Sequence, residues 1–600
     1  MKLLRLKIND PAGFRSLPCG FEHHFRTEWN LQDELAKADH FAPFVCAGPN
    51  GSGKSNLLEV LAAIFFQLEI LRVRRSFLPE ALQDETLDLS PISFELDYLI
   101  RVLPEYRSSN SPEWAKVHVR KNSGESVRFL WENQSDFGTD INEPFTSSHI
   151  DMLLPQYVLG YSSGENEILS LPFFKMRFVQ FDEYYNALTQ QLPYPGHPET
   201  RLAYLDNGFS QAILLCNLLF LDEDSLRPFR EDVGIDSLQE FRIIVRRSVG
   251  LRPEQLTAFA SEDENQNQLP EDIVNSNPAL QLHIDEQGLL HYRLNITHLL
   301  EGDERSSLMI NALQRCATLS YVDEVTDTLI LDYRVNEATK QAFRENFDGS
   351  PLALFQAFQV LLALNLYVVS DSLKSDLYSS TSHYVSETVP MLASDERIMR
   401  FKHFYFRKRG VEKPMLLKEL SDGEHQLLHS LGLCVLFRDT NCLLLLDEPE
   451  THFNPNWRAS FITRLRQCLP DQQDVGQEML ITTHTPFLIS DSKPDKVLVF
   501  SKDETTGVIS INHPDYNTLG ASINKITMNT FGKRETIGGY AQTLLEDLRR
   551  RFEAGAYFHE RRSLNNFHRD RVITTFFKVV VAFCNKITLC SLFFWIQVDF

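Results

Sequence analysis

The chain has 600 residues, 43% of them apolar and 23% charged, the balance of a soluble globular protein long enough for about two to four compact units. Its 81 acidic residues outweigh 59 basic ones for a formal charge of −22, which excludes wholesale coating by nucleic acid and leaves room for a local basic groove or a basic partner. The 9 cysteines are scattered with no C-x-x-C pair, the pattern of a reduced, cytoplasmic chain with neither a disulfide framework nor a zinc site.

The opening M-K-L-L-R-L-K-I alternates Leu4, Leu6 and Ile8 against Arg5 and Lys7, which predicts a strand and not a signal peptide. A turn follows at Gly13-Phe14-Arg15, and the apolar run from Phe41 to Ala47 predicts a second strand. Residues 48 to 55 then read G-P-N-G-S-G-K-S, which satisfies the phosphate-loop pattern G-x-x-x-x-G-K-[S/T] at every fixed position. Gly48, Pro49, Asn50, Gly51, Ser52 and Gly53 form a loop whose N–H groups are expected to close around a di- or triphosphate. The loop opens a helix beginning near Ser55, with Asn56 in its first turn, so the helix dipole adds to the anion site. Lys54 is expected to reach the β- and γ-phosphates, and the Ser55 hydroxyl to ligate Mg2+.

Residues 91 to 131 read as antiparallel sheet, with Ile92, Phe94, Leu96 and Tyr98 alternating and a turn at Asn122-Ser123-Gly124. From about 205 to 370 apolar-periodic runs at Ala212–Leu221, Leu238–Val245 and Leu352–Val368 predict a helical insertion, broken by an acidic, exposed loop at 259–278. No heptad register persists through four repeats, which excludes a long coiled-coil arm. Strand character returns at Phe401–Gly410, followed by L-K-E-L-S-D-G-E-H-Q and a helix to Phe437. The run C-L-L-L-L-D-E-P-E (442–450) is a buried strand tipped by carboxylates, Trp457–Cys468 a helix, and M-L-I-T-T-H-T-P-F (479–487) another buried strand with a polar end.

This alternation behind a phosphate loop predicts an α/β fold: a doubly wound P-loop NTPase head, with an antiparallel β subdomain and a helical insertion, and ligands at the carboxyl ends of its strands. The expected partition is residues 1–200 for the N-terminal half of the head, 201–400 for the insertion, 401–510 for the C-terminal half, and 511–600 for a C-terminal helical docking region. Residues 560–600 reverse the acidic character of the body, and read equally as a docking helix or an aberrant end. Lys578, Asn585 and Lys586 interrupt their apolar clusters, so no membrane span is expected.

Asp447, at the tip of a buried strand, is expected to hold the Mg2+ shell, and Glu448 to orient and deprotonate an attacking water. His484 ends the next strand, where it would meet the γ-phosphate. In L-S-D-G-E, Leu420, Ser421, Gly423 and Glu424 open a helix and offer a second anion cradle, although taken alone the segment is a helix start capped by Ser421. A second cradle makes sense for a nucleotide held by another subunit.

The set G-P-N-G-S-G-K-S, L-S-D-G-E, L-L-L-L-D-E-P-E and T-T-H-T-P resembles ABC-type ATPase heads of the SMC, RecF and OLD families, over about 1–70 and 400–500. The resemblance implies a head-to-tail homodimer, or a higher oligomer built from it, with two ATP molecules each held by Lys54 and Glu448 of one subunit and Ser421 and Gly423 of the other. Asp422 stands where transporter-type signatures carry a second glycine, which disfavours a transporter subunit. T-H-F-N-P (451–455) departs from the usual D-loop. The glutamine that completes the Mg2+ shell in the family has no assigned match, and Y-S-S-G-E-N-E (161–167) is the candidate region.

After His484 no two aspartates stand two apart, and no H-x-x-H or H-N-H cluster occurs, so the chain is expected to cut nothing itself. The wording around the motifs is similar to PtuA-type ATPases of Septu and retron-associated anti-phage defence systems. That resemblance implies a separate HNH nuclease subunit, in some systems a reverse transcriptase with its DNA product, and contact with nucleic acid through the complex. The alternatives are a RecF-like ATPase that clamps DNA directly, with Arg72, Arg74, Arg75, Arg407, Lys408 and Arg409 lining a groove, and a nucleotide-stabilised scaffold that inhibits a toxin.

Overall fold

The computed structural model describes residues 1–553 apart from 37–41, 108–110, 138–146, 252–254, 260–268, 285–289, 470–475, 534–537 and a few isolated positions, Glu165 among them. At its centre lies a seven-stranded sheet in the order Ile509–Asn512, Val497–Lys502, Phe44–Ala47, Glu478–Thr483, Cys442–Asp447, Tyr157–Ser162, Leu202–Tyr204. All neighbouring pairs are parallel except the first, which is a hairpin. The strands Phe44–Ala47, Tyr157–Ser162, Cys442–Asp447 and Glu478–Thr483 are buried at every residue, because helices cover both faces of a parallel sheet; their sequences are accordingly apolar without alternation. Being parallel, these four strands deliver their carboxyl ends to one edge.

A five-stranded antiparallel sheet (Glu22–His24, Lys2–Ile8, Phe94–Arg101, Trp114–Lys121, Arg128–Trp131) packs through Leu3, Leu6, Ile8 and Leu96 onto the helix Lys54–Ile70 in one continuous apolar core. The same core reaches the central sheet through Leu443, Leu445 and Leu480, and a buried ion pair adds to that link. Arg26, beside the first strand, donates from Nη1 to Glu478 Oε2 at 2.6 Å and from Nη2 to Glu478 Oε1 at 3.0 Å, at the start of a central strand. Leu3 N donates to the same carboxylate at 2.8 Å, and Glu34 takes the remaining Arg26 Nε–H at 3.0 Å. Both members of the Arg26–Glu478 pair are 2% exposed, so water does little to compensate their charges and the pair, with Glu34 beside Arg26, must do so.

The insertion differs from the helical expectation. Helices Asn207–Phe220 and Pro351–Ala363 form where predicted, but Leu238–Val245 lies within a strand, Ile235–Arg246, at the middle of a second five-stranded antiparallel sheet. Its neighbours are Thr328–Arg334 and Met399–Lys408, with Leu319–Asp323 and Met415–Leu416 at the edges. The false helical spacing has a specific origin. The register to the partner strand shifts between Tyr405↔Glu240 and Phe406↔Leu238, so one extra residue lets Leu238 and Phe241, of opposite parity, both face the core. Beyond the bulge Phe241, Ile243 and Val245 alternate as a strand should, and the β-branched run suits it. A small three-stranded sheet (Ser248–Leu251, Leu290–Asn295, Leu280–Ile284) adds to the strand content, and Pro270–Ser276 is helical within the expected acidic loop.

The helix Asn207–Phe220, capped by Asp206, packs against Pro351–Ala363 and Asp422–Leu436. Among the described residues no single helix is long and apolar enough to cross a membrane; one pair, Glu337–Asn346 with Pro351–Tyr367, meets that test together but is bent by 80°. From Thr527 a second compact unit begins, whose described residues, 527–533 and 538–553, include the helix Gly539–Glu553. The ambiguous stretch 560–600 lies outside the described residues.

Candidate functional site

The loop 48–53 joins the strand Phe44–Ala47 to the helix Lys54–Ile70. Gly48 sits at φ 148°, and a Cβ there would stand 2.4 Å from the Phe500 carbonyl oxygen, so only glycine lets the loop leave the sheet at this point. Lys54 is buried, and its Nζ donates to the carbonyls of Gly48 at 3.1 Å and Pro49 at 3.0 Å. Burial lowers the Lys54 pKa, and Glu448 and Asp447 oppose that effect. The ammonium therefore lies inside the loop with two carboxylates close by, a poised counter-charge for an anion.

Asp447 is the hub of the sheet edge. Its Oδ1 accepts from Ser55 Oγ at 2.7 Å and from Thr482 Oγ1 at 2.6 Å, while Oδ2 accepts from Asn166 Nδ2 at 2.8 Å. Burial raises the carboxyl pKa against those hydrogen bonds. Asn166 comes from the Y-S-S-G-E-N-E segment, at the end of the strand Tyr157–Ser162, where no individual residue was assignable from sequence. Thr482 was overlooked, although it stands two residues before His484 in T-T-H-T-P. Hard oxygens of Ser55 and Asp447 beside an anion loop, with Asn166 bracing the carboxylate through its amide nitrogen, fit a Mg2+ that keeps part of its water shell.

Glu448 adopts φ 50°, a left-handed conformation that a glutamate takes only under constraint. Its N–H donates to Thr482 Oγ1 at 3.0 Å, and its Oε1 meets His484 Nε2 at 2.7 Å. The hydrogen bond from His484 leads the causes that hold the Glu448 pKa below its ordinary value, so this carboxylate stays ionised and able to accept a proton. A third pair completes a register: Thr483 Oγ1 donates to Glu450 Oε1. Three consecutive residues of one strand tip, Thr482, Thr483 and His484, thus hold three acids of D-E-P-E, which fixes the loop leaving the neighbouring strand.

Glu450 differs chemically from the other two acids. It is fully enclosed, its Oε2 has no partner among the described residues, and burial pushes its pKa up to about 7. Relative to the ordinary 4.5, the folded protein binds this proton more tightly than the unfolded chain, so stability falls as pH rises from about 4.5 to about 7. Glu450→Gln carries no such titration. Its melting temperature should exceed that of the wild type at pH 8 by the equivalent of up to about 3 kcal/mol, and the gap should close by pH 5. Parallel pH profiles for the two proteins in thermal melts would show that Glu450 does not titrate in this way.

A cavity of about 480 Å³ is lined by Asn50, Gly51, Gly53, Lys54, Ser55, Asn56, Ile168, Glu448 and His484. Leu420, Ser421, Gly423 and Glu424 do not line it. Ser421 instead caps the helix Asp422–Leu436 in a reciprocal box, its N–H donating to Glu424 Oε2 at 2.9 Å, and it remains exposed. Gly423 has a packing reason of its own, since a Cβ there would lie 2.7 Å from the His452 carbonyl oxygen. Of the basic clusters, Arg72 pairs with Glu69 and Asp151, Arg75 with Glu85, and Lys408 with Glu424. These three cations are therefore already matched by carboxylates, as for an ordinary charged surface.

Residues 250–490 match the family described as "AAA domain, putative AbiEii toxin, Type IV TA system", a span that contains the signature, Asp447 and His484 but begins after the phosphate loop. The Septu protein PtuA of Bacillus thuringiensis is 27% identical over 123 residues, 20% of this chain and 28% of that protein. Protein ea59 of Escherichia phage lambda is 26% identical over 132 residues, 22% of this chain and 24% of that protein. The matched stretch is thus about a quarter of the length of these curated relatives. An Smc head bound to the C-winged helix domain of ScpA aligns over 86% of this chain and 98% of its own, at 9% identity and a TM-score of 0.31. The Pyrococcus furiosus Smc head with an extended coiled coil aligns over 91% and 99%, at 12% identity and a TM-score of 0.29. At those scores the superpositions are loose, and the α/β P-loop fold follows from the strand order and the loop geometry.

Proposed function

We propose that this chain, an SMC/ABC-like ATPase head related to anti-phage defence ATPases, binds and hydrolyses ATP in a pocket completed by a second copy of itself, and thereby controls a separate nuclease effector. The observation that carries the reading is a division of labour. Lys54, Ser55, Asp447, Asn166, Glu448 and His484 converge on one edge, while the Ser421 turn is exposed and outside that cavity. A helix start that is exposed and lies outside its own chain's phosphate cavity suits a phosphate presented by a partner.

In this mechanism the 48–53 amides and Lys54 orient the polyphosphate, as positioning and charge stabilisation dominate phosphoryl transfer. Ser55 and Asp447, steadied by Asn166 and Thr482, would hold Mg2+, which when bound neutralises charge on the phosphate oxygens. Glu448 accepts the proton of the attacking water, and His484 keeps that carboxylate ionised and aimed. Ser421 and Gly423 of the second copy close over the γ-phosphate, so ATP joins the two heads and hydrolysis releases them. The similarity to the Septu protein, itself of local extent, supports an HNH nuclease as the partner, with a reverse transcriptase and its DNA product in some assemblies and nucleic acid engaged through the complex.

The test separates the two halves of the pocket. Lys54→Ala should weaken ATP binding at least tenfold and abolish dimerisation. Ser421→Arg should leave binding by the single chain within about threefold of wild type yet abolish ATP-driven dimers, for an arginine on an exposed cap blocks only a partner. Equal dimerisation of Ser421→Arg and wild type, read by light scattering with ATP, would refute the composite pocket.

A further inference from the structure

We infer that Gln426 is a positioning residue that couples the loop holding Asp447 to the signature turn and to the Glu448 loop of the same subunit, an inference that rests on the composite-pocket reading. Gln426 lies on the helix Asp422–Leu436, one turn beyond Ser421, and is 3% exposed. Its Nε2 donates to Ser163 Oγ at 2.8 Å, and its Oε1 accepts from His452 N at 2.9 Å. Each of those partners leads to a different part of the site.

Ser163 N donates to the Asp447 carbonyl at 3.1 Å, and three residues later Asn166 holds the Asp447 carboxylate. This segment therefore follows any movement of the groups that would surround the metal. His452 belongs to the loop that leaves Glu448, in which Thr451 N donates to the Glu448 carbonyl at 3.3 Å and Phe453 N to the Glu450 carbonyl at 3.0 Å. The His452 carbonyl in turn presses on Gly423, where no Cβ would fit. One buried amide thus has its donor committed to one segment, its acceptor to a second, and its backbone to the signature helix. Both bonds survive only at one mutual spacing of the three segments, and a largely buried amide that loses either one is left under-satisfied. A shift of the 163–166 loop on nucleotide engagement is then passed to the exposed Ser421 turn, which sets whether a second copy can dock.

The experiment uses the full chain carrying Glu448→Gln, in which ATP-held dimers are expected to accumulate, with Gln426→Leu, Ser163→Ala and the double variant added. ATP affinity of the single chain should stay within about threefold of the parent, while the ATP-dependent dimer dissociation constant rises by about 5–150-fold in each single variant, the usual range for coupling between sites. The double variant should be no worse than Gln426→Leu alone, because both changes cut the same link. In the wild-type background the same variants should lower kcat with little change in KM. The coupling is refuted if dimer affinity is unchanged, if ATP affinity falls in step with it, or if the two losses multiply. Ser163→Ala removes one hydroxyl, so it reports even if Gln426→Leu fails to fold. A parent Glu448→Gln that stays monomeric with ATP overturns the composite pocket itself, and this inference with it.

Discussion

Glu448→Gln should lower ATP turnover by about 10²–10⁴-fold while leaving ATP bound, and should convert the chain to a stable ATP-held dimer at micromolar protein. The substitution keeps the shape of the side chain and removes only its capacity to take a proton. Backbone placement survives, because the Glu448 N–H bond to Thr482 Oγ1 does not involve the side chain. What disappears is the ionised carboxylate that the His484 hydrogen bond keeps below its ordinary pKa. His484→Ala should act differently: the carboxylate would lose its main source of stabilisation and its aim, so turnover would fall and the acid limb of the pH–rate profile would move to higher pH. Phosphate release and light scattering with ATP read both effects. Turnover of Glu448→Gln within threefold of wild type would remove Glu448 from the chemistry, and a monomer in the presence of ATP would remove the dimer.

The parts of this site that could be read from sequence are those in which a local pattern is itself the physical device. A glycine-rich loop between an apolar strand and a helix is an anion cradle wherever it sits, and acids after four leucines must end a buried strand. The signature segment showed its cap in the same way. The contacts that join segments were not legible, because each depends on a register set elsewhere. Asn166 reaches Asp447 only because the strand Tyr157–Ser162 lies beside Cys442–Asp447 in parallel, with Ser162 opposite Asp447. The pairing of Thr482, Thr483 and His484 with Asp447, Glu450 and Glu448 likewise requires the parallel register Asp447↔Thr482. The strand Ile235–Arg246 was misread as a helix because its bulge places apolar residues of both parities inward. The Arg26–Glu478 pair, which ties the first-strand region to the central sheet, spans 452 residues and leaves no local trace.

That pair gives the largest expected change in stability. Arg26→Met should cost about 3–5 kcal/mol, since it strands the Glu478 carboxylate at a position 2% exposed. The pH dependence distinguishes this from a simple packing defect. Burial alone would push the Glu478 pKa up, but Arg26, by charge and hydrogen bonds, more than reverses that and brings it from 4.5 to about 2. In the wild type the carboxylate therefore contributes stability that is fully present above about pH 4.5 and is lost as pH falls toward 2, worth about 3 kcal/mol at most. Without Arg26 the burial effect is opposed by the weaker influence of Lys2 and Lys496 and by the Leu3 N–H bond, so the gain between pH 3 and pH 5 should shrink. Arg26→Met/Glu478→Gln should recover part of the loss, because a neutral amide at Glu478 has no charge left unmatched. Denaturant melts at pH 3, 5 and 7 on the three proteins supply the comparison. If Arg26→Met keeps the full wild-type rise in stability between pH 3 and pH 5, the first-strand region and the central sheet are held together by packing, and the ionic bridge is incidental.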